Sequence, residues 1–251
     1  MEPIAAWVAG HPLTLILLLP ALSATAALGI WRLAARLPAG RRRIVLYAGL
    51  ASGMAVLFVA PALSVGGQGG LVAFDMTLAR HLGTSVAPRL LWALSWFTHL
   101  GDRNFLTLVA VGMTALLLLR RQWLLAAGCV AATLGGGLLN MLLKRAFQRA
   151  RPAFDHGYAD VSGWSFPSGH ASAAMAVYGI ACYLLLRVLP VPWRPACVAG
   201  AAALIMAIGV SRVLLQVHYA SDVAAGFAIT ALWLALCVTV LERRVGPPTR
   251  K

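Results

Sequence analysis

Apolar runs separated by short polar gaps constrain this chain more than any other feature. They occupy residues 13–31, 44–65, 104–119, 123–143, 171–189, 196–217 and 223–241. A helix needs about 20 mostly apolar residues to cross the hydrocarbon core of a bilayer, within a working range of about 17 to 25. Six of the runs meet that length and the third falls slightly short. Hydrophobic residues make up 61% of the 251-residue chain and charged ones 11%, far from the roughly 45–50% apolar content of a soluble domain. The gaps are too short for a separate soluble fold. The expected fold class is all-α, a polytopic membrane helical bundle.

A formal net charge of +14 raises the possibility of nucleic acid, so the placement of the charge decides its meaning. Arg32, Arg36, Arg41, Arg42 and Arg43 share one gap, and Arg120 and Arg121 share another. Arg187 and Arg194 flank a third, and Arg243, Arg244, Arg250 and Lys251 close the chain. Cytoplasmic loops of membrane proteins carry the excess of Lys and Arg. The four basic gaps are therefore expected on the cytoplasmic side, with attraction to anionic lipid secondary and no nucleic-acid partner.

Seven spans put the N-terminus outside and the C-terminus in the cytoplasm, and the basic gaps then alternate onto one side. The remaining gaps, at 66–103, 144–170 and about 218–222, face outward with the N-terminus, and together these segments hold or border all six histidines. A signal peptide over residues 1–31 is the rival reading. It lacks a basic leading region, and cleavage would strand the Arg32–Arg43 cluster outside. After the Gly66-Gly67-Gln68-Gly69-Gly70 turn, residues 74–100 place Trp92, Trp96 and Phe97 among polar residues. This stretch reads as either an interfacial helical segment or a packed loop. Cys129, Cys182, Cys197 and Cys237 fall inside apolar runs or at their edges, without metal-ligand spacing, and are expected as small buried hydrophobes.

Three polar blocks fall on the outward side. In the first, Lys144 is followed seven residues later by Arg151 and Pro152. If the fourth helix continues, seven residues is close to two turns and both cations project from one face toward one anion. The alternative is snorkelling of basic residues at a helix end, which is the expectation for Arg145 and Arg149. The second block is Pro167-Ser168-Gly169-His170. Gly169 permits close backbone approach, Ser168 offers a hydroxyl and an N-cap, and helix-start N–H groups attract phosphate oxygens. His170 suits protonation of a leaving oxygen, and a plain helix cap is the alternative.

The third block is Ser211-Arg212, then His218, then Asp222. Arg212 lies within an apolar run, where a charge costs about 2.5–3.5 kcal/mol on insertion scales, so a functional counter-charge is its default explanation. His218 and Asp222 are four residues apart and neighbours on a helical turn. A carboxylate bonded to one ring nitrogen fixes the tautomer and frees the other to attack. Together the blocks supply a nucleophile, its orienter, an acid, three cations and backbone donors, the set that phosphoryl transfer requires. No cluster offers dedicated metal ligands, so no cofactor and no metal are expected.

The ordered blocks K-x6-R-P, P-S-G-H and S-R-x5-H-x3-D closely resemble the signature of the type-2 phosphatidic acid phosphatase superfamily. The resemblance implies Lys144, Arg151 and Arg212 as phosphate ligands, with Ser168 and Gly169 as further oxygen contacts. It implies His170 as the acid, His218 as the nucleophile and Asp222 as its partner. It also implies a six-helix phosphatase core over residues 44–241, an interfacial segment at 74–100, and a basic tail at 242–251. Residues 1–43, with an extra transmembrane helix, fall outside that pattern. The expected activity is that of a metal-independent lipid phosphatase working through a phosphohistidine on the extracytoplasmic face of a bacterial inner membrane. Undecaprenyl diphosphate, phosphatidylglycerophosphate and phosphatidate are the implied substrates. The alternatives are a phosphotransferase passing phosphate to another lipid such as lipid A, and a non-catalytic phospholipid-binding or transport module.

Overall fold

The computed structural model describes residues 2–38, 40–67, 69–153, 156–159 and 161–246, and regular structure among them is entirely helical. In chain order the helices are α1 (Glu2–Gly10), α2 (Pro12–Arg36), α3 (Arg41–Ser64), α4 (Gly70–Ser85) and α5 (Pro88–Phe97). A tight turn of 3-10 helix at Thr98–Gly101 leads into α6 (Arg103–Leu119), followed by α7 (Trp123–Phe147), α8 (Gly169–Val188), α9 (Arg194–Leu214) and α10 (Ala220–Val245). Helices satisfy every backbone polar group within the segment, which is what hydrocarbon demands.

Seven segments are long and apolar enough to cross a membrane: Pro12–Arg36, Arg41–Ser64, Pro88–Leu119, Trp123–Phe147, Gly169–Val188, Val191–Leu214 and Ala220–Val245. Their outward faces carry bare Leu13, Leu17, Val56, Leu108 and Leu142, the surface expected where lipid rather than water is the solvent. Several helices run past the apolar limits read from the sequence, α7 to Phe147 and α8 back to Gly169. Backbone hydrogen bonding does not stop where hydropathy falls, so polar residues ride on the helix ends. The third span begins at Pro88 because α5, the turn at Thr98–Gly101 and α6 follow one another with little interruption. The stretch that allowed an interfacial helical segment or a packed loop is helical, forming α4 and α5.

Helix α8 packs against α7, α9 and α10, while α2 lies along α9 and α3 along α10. Small residues permit close crossings where lipid gives no hydrophobic drive toward association. A β-carbon at Gly226 of α10 would stand 2.9 Å from the Ser168 carbonyl oxygen at the head of α8. One core gathers Ala5 and Ala9 of α1, Leu78 and Leu82 of α4, and Leu214, Leu215 and Val217. A second joins Leu117, Ala126, Cys129, Ile180, Tyr183 and Leu241 toward the other end of the bundle. Cys182 and Cys197 are only half-buried, with sulfurs 3.8 Å apart, so the expectation of four buried cysteines holds for Cys129 and Cys237 alone.

Candidate active site

The end of α7, the head of α8, the last turn of α9 and the head of α10 converge at one end of the bundle, and every site residue read from the sequence lies there. Helix α10 starts at Ala220, so His218 sits in the preceding loop rather than on a shared helical turn with Asp222. The pair still meets, with His218 Nδ1 3.5 Å from Asp222 Oδ2. Asp222 reaches back to accept from the Tyr219 backbone N–H at 2.9 Å. A carboxylate in the first turn of a helix satisfies orphan N–H groups. Here that arrangement also fixes the carboxylate beside the imidazole.

Ser165 stands between the two. Its hydroxyl donates to Asp222 Oδ2 at 2.5 Å and lies 3.3 Å from His218 Nδ1. Because that hydroxyl proton goes to the carboxylate, its oxygen is free to accept from an Nδ1–H. On the other side of the ring, Arg151 Nη1 donates to His218 Nε2 at 3.2 Å. An arginine cannot accept, so Nε2 carries the lone pair and Nδ1 the proton. Burial, with further opposition from Arg151 and Arg212, pulls the His218 pKa down to about 4 despite the Asp222 carboxylate. The imidazole is thus neutral and its outward nitrogen nucleophilic near neutral pH.

Lys144 and Arg151 do not share a helix face as the spacing suggested. Helix α7 ends at Phe147, and Gln148 turns the chain through a left-handed conformation (φ 44°, ψ 38°). Arg151 therefore approaches from the following loop, where it donates to the carbonyls of Gly163 at 2.9 Å and Val217 at 2.7 Å. The two cations still meet at one point, both donating to the Trp164 carbonyl, Lys144 Nζ at 2.5 Å and Arg151 Nη2 at 3.4 Å. Burial holds the Arg151 pKa below its ordinary value, partly offset by Asp222.

Ser168 caps α8, its Oγ accepting from Ala171 N at 3.5 Å, and its own N–H donates to the Asp222 carbonyl at 3.0 Å. That bond ties the second block to the third. Asn140 of α7 supports the same loop, donating to Ser172 Oγ at 2.9 Å and toward the Pro167 carbonyl at 3.4 Å. An added β-carbon at Gly169 would lie 3.8 Å from Lys144 Cε. His170, in the first turn of α8, is within electrostatic range of Arg212, His218 and Arg151. The turn at Thr98–Gly101 presses against its other side, since a β-carbon on Gly101 would come within 3.2 Å of His170 Cδ2. Arg212 is 2% exposed. Its Nη1 donates to Thr98 Oγ1 at 2.9 Å, and its buried Nε has no partner among the described residues. A buried cationic N–H without an acceptor is costly, and a phosphate oxygen is the acceptor this one suits.

Arg149 overturns the expectation that it snorkels toward headgroups. It is nearly buried and bridges two carboxylates, donating through Nη1 to Asp222 Oδ1 at 2.7 Å and through Nη2 to Asp75 Oδ2 at 2.9 Å. Its guanidinium lies 4.2 Å from the Tyr219 ring centre. Burial works against its charge, but the Asp222 and Asp75 carboxylates outweigh it and raise its pKa. Asp75, on α4, also accepts from the Ser221 hydroxyl and, at 3.2 Å, from the Ser221 N–H. Arg145 remains exposed, compatible with the snorkelling expected of it.

Sequence reasoning missed Asp75, Thr98, Asn140, Arg149 and Ser165 as site residues. Asp75, a lone carboxylate between apolar neighbours, and Asn140, a polar amide inside an apolar run, carried usable signals.

The family described as the PAP2 superfamily matches residues 123–245, the stretch from α7 to α10 that supplies all three blocks. The chain is 34% identical to phosphatidylglycerophosphatase B of Bacillus subtilis over 152 residues, covering 58% of this chain and 72% of that one. It is 36% identical over 154 residues to a decaprenylphosphoryl-5-phosphoribose phosphatase of Mycobacterium tuberculosis, covering 57% and 76%. With a lipid A 1-phosphatase of Rhizobium johnstonii it shares 40% over 119 residues, 44% of this chain and 45% of that one. Among solved structures, the transmembrane PAP2-type phosphatidylglycerolphosphate phosphatase of Bacillus subtilis superposes with a TM-score of 0.70 at 28% identity. That superposition covers 77% of this chain and 96% of the other.

Proposed function

The chain belongs to the PAP2 superfamily of membrane lipid phosphatases, and from that premise we propose that it hydrolyses a lipid phosphate or diphosphate through a phosphohistidine formed on His218. His218 Nε2 attacks phosphorus, an N–P bond forms and the bond from phosphorus to the leaving oxygen breaks. His170 gives that oxygen its proton. Water then attacks the phosphorus of the phosphohistidine with His170 taking a proton back, the N–P bond breaks, and inorganic phosphate departs. Asp222, directly and through Ser165, stabilises the proton on Nδ1 while positive charge builds on the ring.

Lys144, Arg151 and Arg212 take the three remaining phosphate oxygens, with Ser168 and the Gly169 N–H as further donors. Arg151 moves its hydrogen bond from Nε2 to a phosphate oxygen as substrate enters, which exposes the attacking lone pair. The observation that carries this reading is the two-sided clamp on His218, an arginine on the attacking nitrogen and a serine-bridged carboxylate behind the other. Three preplaced cations fill the electrostatic role that a divalent ion would otherwise take.

The basic helix ends at Arg120–Arg121, Arg187, Arg194 and Arg243–Arg244 lie opposite the site, which supports a pocket on the extracytoplasmic face of a bacterial inner membrane. Phosphatidylglycerophosphate, phosphatidate and undecaprenyl diphosphate are the substrates to compare. Phosphate release from that panel by the purified protein is expected to survive EDTA, to be blocked by vanadate and to vanish in His218→Ala. Turnover persisting in folded His218→Ala would refute the mechanism.

A further inference from the structure

At the end of the bundle away from His218, a cavity of about 990 Å³ opens between α6, α7, α8 and the last residue of α10. Its walls are apolar, built from side chains such as Leu117, Leu125, Ala181 and Leu184, and its mouth carries Arg120, Arg121 and Arg187. Helix α7 runs 25 residues from this cavity to the catalytic end, about 37 Å at 1.5 Å per residue. The cavity is therefore no part of the phosphatase pocket.

Among the described residues no carboxylate lines it. Arg187 donates to the Tyr183 hydroxyl at 3.1 Å and the Gly246 carbonyl at 2.8 Å, both neutral acceptors. Arg120 and Arg121 are exposed at the turn between α6 and α7. Glu242 is the one acidic residue of the final turn of α10, against Arg243 and Arg244 beside it. Glu242 is within electrostatic range of Tyr183, yet the guanidinium groups outnumber it. An apolar chamber beneath such an excess, at the depth where a spanning helix ends, matches an amphiphile with an anionic head. Basic pockets between membrane helices hold such head groups, and planar guanidinium suits their phosphate oxygens.

We propose that this cavity binds an anionic diacyl phospholipid of the phosphodiester class, with its phosphate on Arg120, Arg121 and Arg187 and an acyl chain inserted between α6 and α8. Such a lipid has no terminal phosphate for His218 to remove, so it is a resident ligand and not a substrate.

The test uses the full chain in nanodiscs of phosphatidylcholine, with and without phosphatidylglycerol, read by native mass spectrometry and thermal unfolding. The wild-type protein is expected to retain phosphatidylglycerol in preference to phosphatidylcholine and to melt higher in its presence. Arg120→Gln/Arg121→Gln should lower retention at least tenfold while turnover of a short-chain phosphate ester stays within twofold. Ala181→Phe, which fills the chamber and leaves the arginines in place, should lose retention as well. Equal retention of the two lipids by the wild type, or unchanged retention in the double variant, would overturn the proposal. So would full retention in folded Ala181→Phe, since surface attraction alone would then account for the preference. A second copy or another protein occupying this face in place of lipid would also overturn it.

Discussion

Replacing Arg149 with glutamine tests the least expected feature of the site. Its side chain is 9% exposed, and those of Asp75 and Asp222 are 1% and 0% exposed. Removing one partner of a buried ion pair costs about 3–5 kcal/mol, because the other charge is left uncompensated. Here two carboxylates lose their shared cation together. In a chain of this size each kcal/mol lowers the melting temperature by roughly 2–4 °C, so Arg149→Gln should melt roughly 6–20 °C below the wild type in detergent. Asp75→Asn in the same background removes one of the stranded charges while the Ser221 contacts can persist. The double variant should therefore be more stable than Arg149→Gln alone, with a coupling above about 1 kcal/mol. Turnover should follow the same order, since buried carboxylates that lose their cation favour protonation, and a protonated Asp222 no longer supports His218. Strict additivity of the two substitutions, or an Arg149→Gln protein that melts like the wild type, would show that the guanidinium is not held between these carboxylates.

The remaining predictions concern the groups around it. His218 is held at about 4, against an ordinary 6.5, chiefly by burial. The unfolded chain therefore takes up this proton first as pH falls, and stability should decline from about pH 6.5 toward 4 and stay level above that window. The acid limb of kcat/KM should lie near the lower value, and a limb near 6.5 would contradict the buried neutral imidazole. Ser165→Ala removes a hydrogen bond to a charged group, worth about 1.5–3 kcal/mol. It should lower kcat roughly 10- to 150-fold with little change in KM, and an unchanged kcat would mean that Asp222 acts on the ring unaided. Thr98→Val withdraws the acceptor from Arg212 Nη1 and should weaken vanadate inhibition roughly tenfold, about 1.4 kcal/mol. Equal inhibition would remove Thr98 from the positioning of that arginine. Gly226→Ala forces a methyl to 2.9 Å from the Ser168 carbonyl, so it should lower both melting temperature and turnover. Full activity in that variant would show that α8 and α10 can part without harm to the site.

What the sequence could show follows from how each residue is specified. The spans were legible because hydrocarbon imposes a length and a polarity on every crossing segment, and Lys144, Arg151, His170, Arg212, His218 and Asp222 stood out as charged or titratable groups at or near span ends. Helix ends were less legible, because α7 keeps its backbone hydrogen bonds beyond the last apolar residue and then breaks at Gln148 in a left-handed turn that hydropathy does not encode. That break invalidated the shared helix face for Lys144 and Arg151 while leaving both at the same carbonyl. Arg149 was misread for a related reason. Its neighbours Arg145 and Arg151 have the same composition and similar spacing, and only the fold brings Asp75, more than seventy residues earlier, against one of the three. A long-range ion pair leaves no periodic trace, since its partners need share nothing but opposite charge. The same holds for Ser165 and Thr98, ordinary residues whose roles come from the atoms that α10 and α9 place opposite them. Apart from Asp222, the groups read from sequence are thus those proposed to touch the phosphate, and the groups it left unread are those that hold them in place. Geometry selects most of the second set, and the Arg149 and Ser165 substitutions measure how much of the catalysis depends on it.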